Sequence, residues 1–230
     1  MTTPQTKLLK DKEIRKEFII RNKEFFKKGI FINEYGIHNR NIIDLAFFDG
    51  KYLYGFEIKS EADTLNRLTG QLLTYNTLCD YLYIITHSSH KKQVYEKLNG
   101  YRLDNVGVIV VDSDLSFTEA RRSYMLNPLA KNGALLRNLS LDNLIDLCLD
   151  RKLRISGFKP TLANRLASKM SLTEIRKTLY DNLKLRYHSN CPKCQSNLTY
   201  NTSTKNNMNE KVLIRKCFEC SEEYQKETGC

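Results

Sequence analysis

"YLYGFEIKSEADTLNRLTGQLLTY", residues 52–75, decides how this chain is read. Its opening eight residues are rich in aromatic and β-branched side chains, which predicts a strand. After a polar break, Leu65, Leu68, Leu72, Tyr75 and then Cys79 recur at three and four spacing, which predicts a helix over 64–79. A second apolar run, "YLYIIT" at 81–86, follows at once. Strand, helix, strand in that order implies a right-handed parallel crossover. Glu57 and Lys59 lie two apart on the first strand, so they share one of its faces.

Upstream, "IFINEY" at 30–35 and "NIIDLAFF" at 41–48 predict two more strands, and Asp49-Gly50 predicts a hairpin into the strand over 52–59. Before them, residues 11–27 place Ile14, Phe18, Ile19 and Phe25 on an amphipathic helix. Downstream, a helix near 90–98 leads to a strand over 106–112. An antiparallel hairpin joined to parallel crossovers makes a mixed sheet with packed helices, an α/β fold. From 126 helical patterns take over, in "LSLDNLIDLCLD", "PTLANRLASKM" and "SLTEIRKTLYDNL", the last opened by a Ser171/Glu174 capping box. Three parts result: 1–125, 126–186 and a polar, cysteine-flanked tail at 187–230.

The chain has 230 residues and a net charge of +11. The excess is uneven: residues 126–186 hold 12 Lys and Arg against 5 Asp and Glu, whereas 1–125 hold 19 against 16. A basic helical segment suits phosphate oxygens through charge and counterion release, although a merely solvated helical surface has the same composition. No apolar run reaches the length of a membrane span and the N-terminus lacks the apolar stretch of a signal peptide, which predicts a cytoplasmic protein with no membrane partner.

Asp44 on the strand beside Glu57 and Lys59 can join them at one spot. Two carboxylates brought together call for a cation, and hard oxygen donors suit Mg²⁺ or Mn²⁺. A neighbouring lysine can stabilise charge on a phosphoryl group. The plainer reading is a surface hairpin with loosely paired charges.

"IID" followed by "YGFEIKS" resembles the split signature of the PD-(D/E)XK nuclease superfamily, with Ile43 in place of the proline, and "GQLLTY" resembles the Q-xxx-Y helix of RecB-type members. The long stretch "EIKSEADTLNRLTGQLLTYN" is similar to a family of small bacterial and phage proteins placed there. The resemblance implies a restriction-endonuclease-like core that hydrolyses phosphodiester bonds, with DNA as the expected substrate. It implies Asp44, Glu57 and the carbonyl of Ile58 as Mg²⁺ ligands, Lys59 as the residue that positions water, and Gln71 as a phosphate or lysine contact. Glu34 is the expected extra acid, with Glu13 and Glu17 on the first helix as competitors. Tyr75 either serves the site or packs, and Asp63 is expected to cap the helix that begins near Thr64.

Residues 139–170 resemble, loosely, a SAP-type helix-extended-helix, which makes Lys159, Arg165 and Lys169 candidate nucleic-acid contacts, against the alternative of a bundle that completes the core. Cys191, Cys194, Cys217 and Cys220 form two C-x2-C pairs with 22 residues between them, the spacing of a structural Zn²⁺ ribbon that would contact nucleic acid or a protein partner. Cys79 and Cys148 lie on apolar stripes and are expected in the core; His87 and His90 are expected at a loop or helix start rather than at a metal. Two functions emerge: a Mg²⁺-dependent nuclease, and a catalytically inactive nucleic-acid-binding or recruitment protein on the same scaffold.

Overall fold

The computed structural model describes residues 8–37, 41–126 and 132–187, and, as backbone alone, 199–207, 210–217 and 223–225. The first three strands are β1 (Ile30–Gly36), β2 (Ile42–Phe48) and β3 (Leu53–Lys59), followed by β4 (Tyr81–His87), β5 (Gly107–Val111) and β6 (Phe117–Arg121). They form one six-stranded sheet in sequential order. β3, β4 and β5 run parallel, and the other neighbours pair antiparallel. The β2–β3 turn is the expected one: Gly50 has φ +93°, and Asp49 Oδ1 accepts from the N–H groups of Lys51 and Tyr52 at 2.7 and 2.6 Å.

Helices α1 (Asp11–Arg21) and α2 (Lys23–Phe26) cover one face of the sheet, where Ile14, Phe18 and Phe26 meet Phe31, Phe47, Phe56 and Ile58. The continuous helix expected over 11–27 breaks at Asn22, where φ −102° and ψ 16° leave the helical region and the side chain and the N–H both donate to the Phe18 carbonyl, at 2.8 and 3.1 Å. The other face is covered by the crossover helices α3 (Leu68–Asn76) and α4 (Lys91–Gly100) and by α5 (Asn132–Leu136), α6 (Leu141–Asp150), α7 (Lys159–Ala167) and α8 (Leu172–Tyr187). Gly55 lets the connection between α3 and β4 come close, because a Cβ there would stand 2.6 Å from Cys79 Sγ.

Two local expectations need correcting. The crossover helix starts at Leu68, not near Thr64, and Asp63 does not cap it: its carboxylate closes the turn after β3 by accepting from the N–H and hydroxyl of Ser60 at 2.7 and 2.6 Å. β6 was not expected at all, since its polar residues sit on an exposed sheet edge. By contrast, the Ser171/Glu174 capping box forms at the head of α8, with both reciprocal bonds present. In the tail, β7 (Thr199–Asn207), β8 (Glu210–Cys217) and β9 (Glu223–Gln225) form a separate antiparallel sheet. No helix among the described residues is long and apolar enough to cross a membrane.

Candidate functional site

Asp44, Glu57 and Lys59 do converge. The last paired residues of the β2–β3 ladder are Leu45 and Phe56, and just beyond them Asp44 Oδ2 accepts from the Ile58 N–H at 2.8 Å. Lys59 Nζ lies 2.6 Å from Glu57 Oε1; Glu57 is buried and Lys59 is partly buried. Arg15 of α1 reaches the same spot: it donates to Asp44 Oδ1 at 3.1 Å, to the Asp44 carbonyl at 3.0 Å, to Asn33 Oδ1 at 2.8 Å and to Asp11 Oδ2 at 2.9 Å. Glu34 stands 3.9 Å from Arg15, on a backbone with φ +57° that glutamate seldom adopts. Glu13 and Glu17, the competitors for the role of extra acid, serve α1 instead, at its N-terminal cap and in an ion pair with Arg21.

The electrostatics follow from this crowding. Burial, and then the charge of Asp44, push the Glu57 carboxyl up to about 7, with Lys59 pulling the other way. Burial also raises Asp44, against the Ile58 N–H and Arg15. Burial opposes the Arg15 charge, yet Asp11 and Asp44 more than offset it and hold the guanidinium charged. The cluster therefore brings its own cations. Glu57 Oε2 is buried with no hydrogen-bond partner, and the raised pKa favours a proton on this carboxyl, which turns the oxygen into a donor. Among the described residues no group of three or more His, Cys, Asp or Glu is placed to hold a metal ion. Arg15 and Lys59 each hold one carboxylate oxygen of the pair, so a divalent cation would compete with both for these ligands.

Gln71 and Tyr75 lie beside the cluster on a cleft of about 560 Å³, which Asn41, Asn66 and Arg67 also line. Gln71 donates to the Tyr75 hydroxyl at 3.3 Å, and that hydroxyl donates to the Ile42 carbonyl at 2.6 Å. Tyr75 is thus a core residue that ties α3 to β2, and Gln71 reaches it rather than Lys59.

The basic helices present a different surface. Between α6 and α7, the run "RKLRISGF" at 151–158 exposes Lys152, Arg154 and Phe158, and Lys159 begins α7. Lys159 is half-buried, and burial and the nearby charge of Arg186 on α8 lower its pKa. Arg165, expected to face a ligand, instead folds over the loop and donates to the carbonyls of Arg154 and Ser156. Lys169 is exposed beyond the end of α7. Sequence reasoning passed over Lys152, Arg154 and Phe158, although four cations and no acid within 151–159 were there to be read.

A family model described as bacteriophage P4 protein cII matches residues 7–211. The chain belongs to the bacteriophage P4 protein cII family. A curated relative, Protein cII of Enterobacteria phage P4, is 29% identical over 195 residues, which cover 79% of this chain and 69% of that protein. No solved structure matches the chain.

Membership of the P4 cII family overturns the resemblance to PD-(D/E)XK nucleases, and the reading of the chain as a Mg²⁺-dependent phosphodiester hydrolase falls with it. The residues that carried the resemblance have local explanations: Asp44 and Glu57 are compensated by Arg15 and Lys59, and Tyr75 by a backbone carbonyl. Among the other expectations, Cys79 and Cys148 are buried free thiols of the core. His87 caps the short turn before α4 and bridges Ser89 and Ser113 through its two ring nitrogens, at 2.8 and 3.2 Å. Cys191, Cys194 and Cys220 lie outside the described residues, and Cys217 is described only as backbone at the end of β8.

Proposed function

We propose that this P4 cII family member is a nucleic-acid-binding protein whose contact surface is the basic helical segment 132–187, with the sheet as its scaffold. The observation that carries this reading is the α6–α7 loop. Lys152 and Arg154 are exposed in the residues that lead into α7, and Lys159 opens that helix, where burial and then the charge of Arg186 lower its pKa. Like charges brought together cost stability in the free protein and are repaid by a polyanion. Lysine and arginine side chains suit phosphate oxygens, and such contacts position a protein without reading sequence. The two C-x2-C pairs support Zn²⁺ as the staple of the tail, where the family's match ends among them at residue 211.

The test is binding of fluorescently labelled DNA and RNA to the full chain, followed by anisotropy over a salt series. Affinity should fall steeply with salt, and Lys152→Glu with Arg154→Glu should flatten the log–log slope by about 2. A wild-type protein that leaves both nucleic acids unbound at low salt refutes the reading. Metal analysis of the purified chain should return one Zn²⁺ per molecule, lost in Cys194→Ser.

A further inference from the structure

The α6–α7 loop holds an apolar ring where a solvated loop has no use for one. Phe158 is 84% exposed, and Ile155 beside it 48%. Phe158 occupies the N-cap of α7, where its side chain makes no capping bond, although Ser, Thr, Asp or Asn would. The loop is nevertheless held firmly. Arg165 pins the carbonyls of Arg154 and Ser156, and the Phe158 carbonyl accepts from the N–H of Thr161 at 2.8 Å. Gly157 has φ +113°, and a Cβ there would meet Thr161 at 3.0 Å. The ring is therefore presented by an ordered backbone, so little conformational freedom is left to lose when it docks.

What covers such a ring is set by its surroundings. In the chain Lys152 and Arg154 precede it and Lys159 follows it, and the acid that reaches this loop, Glu174, stands 3.7 Å from Arg151. The fitting occupant combines negative charge with flat aromatic faces. We propose that Phe158 stacks on an unpaired base, so that the preferred target of this surface is single-stranded or locally unpaired nucleic acid. This rests on the nucleic-acid reading above and narrows it. An anionic lipid surface shares the charge but needs a broader apolar face than two side chains provide.

The chain contains no tryptophan, so Phe158→Trp places a unique fluorophore at the tip. Full-length protein is titrated with an oligothymidylate of about 20 nucleotides, with a blunt duplex of the same length and with phosphatidylglycerol vesicles. Single strands should quench the indole emission to saturation. Phe158→Ala should bind the single strand about tenfold more weakly while its duplex affinity changes less than about twofold. Because the ring is solvent-exposed, neither variant should alter the unfolding temperature. The stacking proposal fails, with nucleic-acid binding intact, if Phe158→Ala binds the single strand like wild type or if indole emission stays constant while anisotropy rises. An emission change with vesicles and none with oligonucleotides assigns the ring to lipid and overturns it too. Wild type that binds neither nucleic acid overturns the broader reading as well.

Discussion

Arg15 is the cation that Asp44 meets in the fold. It contacts Asp11, Asp44 and Asn33 at once, with a side chain only 13% exposed. Arg15→Ala would leave Asp44 partly buried beside Asp11 and Glu34 with no cation from α1, at a cost of about 2–3 kcal/mol; chemical denaturation measures it, and Asp44→Asn in the same chain should recover most of the loss. Glu57 makes the stability depend on pH. Its carboxyl ordinarily titrates at 4.5 and in the fold at about 7, so the folded state holds the extra proton between those values. Stability from this group is therefore fully present below pH 4.5 and lost as pH rises through 7. Glu57→Gln should flatten that fall, gaining up to about 3 kcal/mol over wild type at pH 8 relative to pH 4.5, read from denaturation midpoints at each pH. Asp44, Glu57 and Lys59 were legible as a cluster because alternation along neighbouring strands forces their approach. Arg15 was not, because nothing in a helix sequence says which strand its outer residues will meet.

Elements whose burial is one-sided or complete were readable, and those that face solvent were not. β1 to β5 announce themselves because their apolar side chains fill two opposed layers. β6 carries Thr118, Glu119 and Arg121 on an edge, where pairing comes from the backbone and leaves little hydrophobic trace. The helix after β3 starts a turn late because Asp63 satisfies Ser60 rather than the helix N-terminus, a choice between two local bonds that spacing cannot decide. Gly157 lies in the α6–α7 connection, and its conformation turns that residue into a test. With φ at +113°, Gly157→Val forces a strained backbone and a clash with Thr161, for a penalty of about 1–3 kcal/mol. The loss should be local: hydrogen exchange should quicken in 154–161 and hardly change in β3 or β4, and nucleic-acid affinity should fall through the displaced loop. An unchanged exchange pattern would show that the loop tolerates any residue there.

Across the whole molecule, the sheet and the later helices share one core: Leu135, Leu144, Leu162, Ile175 and Leu183 belong to the same buried cluster as Ile32, Ile43 and Leu82. A charged latch crosses that core. Arg176 of α8 makes a two-pronged pair with Asp80 at 2.8 and 2.7 Å, donates to the Lys51 carbonyl, and leaves Asp80 still accepting from the Leu53 N–H at 2.9 Å. One arginine thus fixes α8 to the starts of β3 and β4, and the basic surface is held in a set orientation to the sheet. Asp80→Ala strands a buried guanidinium and should cost about 3–5 kcal/mol, whereas Asp80→Ala with Arg176→Met removes both charges and should cost markedly less. Because the core is shared, both variants should unfold in a single transition by circular dichroism and by tyrosine fluorescence alike. Two separated transitions in Asp80→Ala would instead mean that the helices fold without the sheet, and that the latch only docks two bodies already formed.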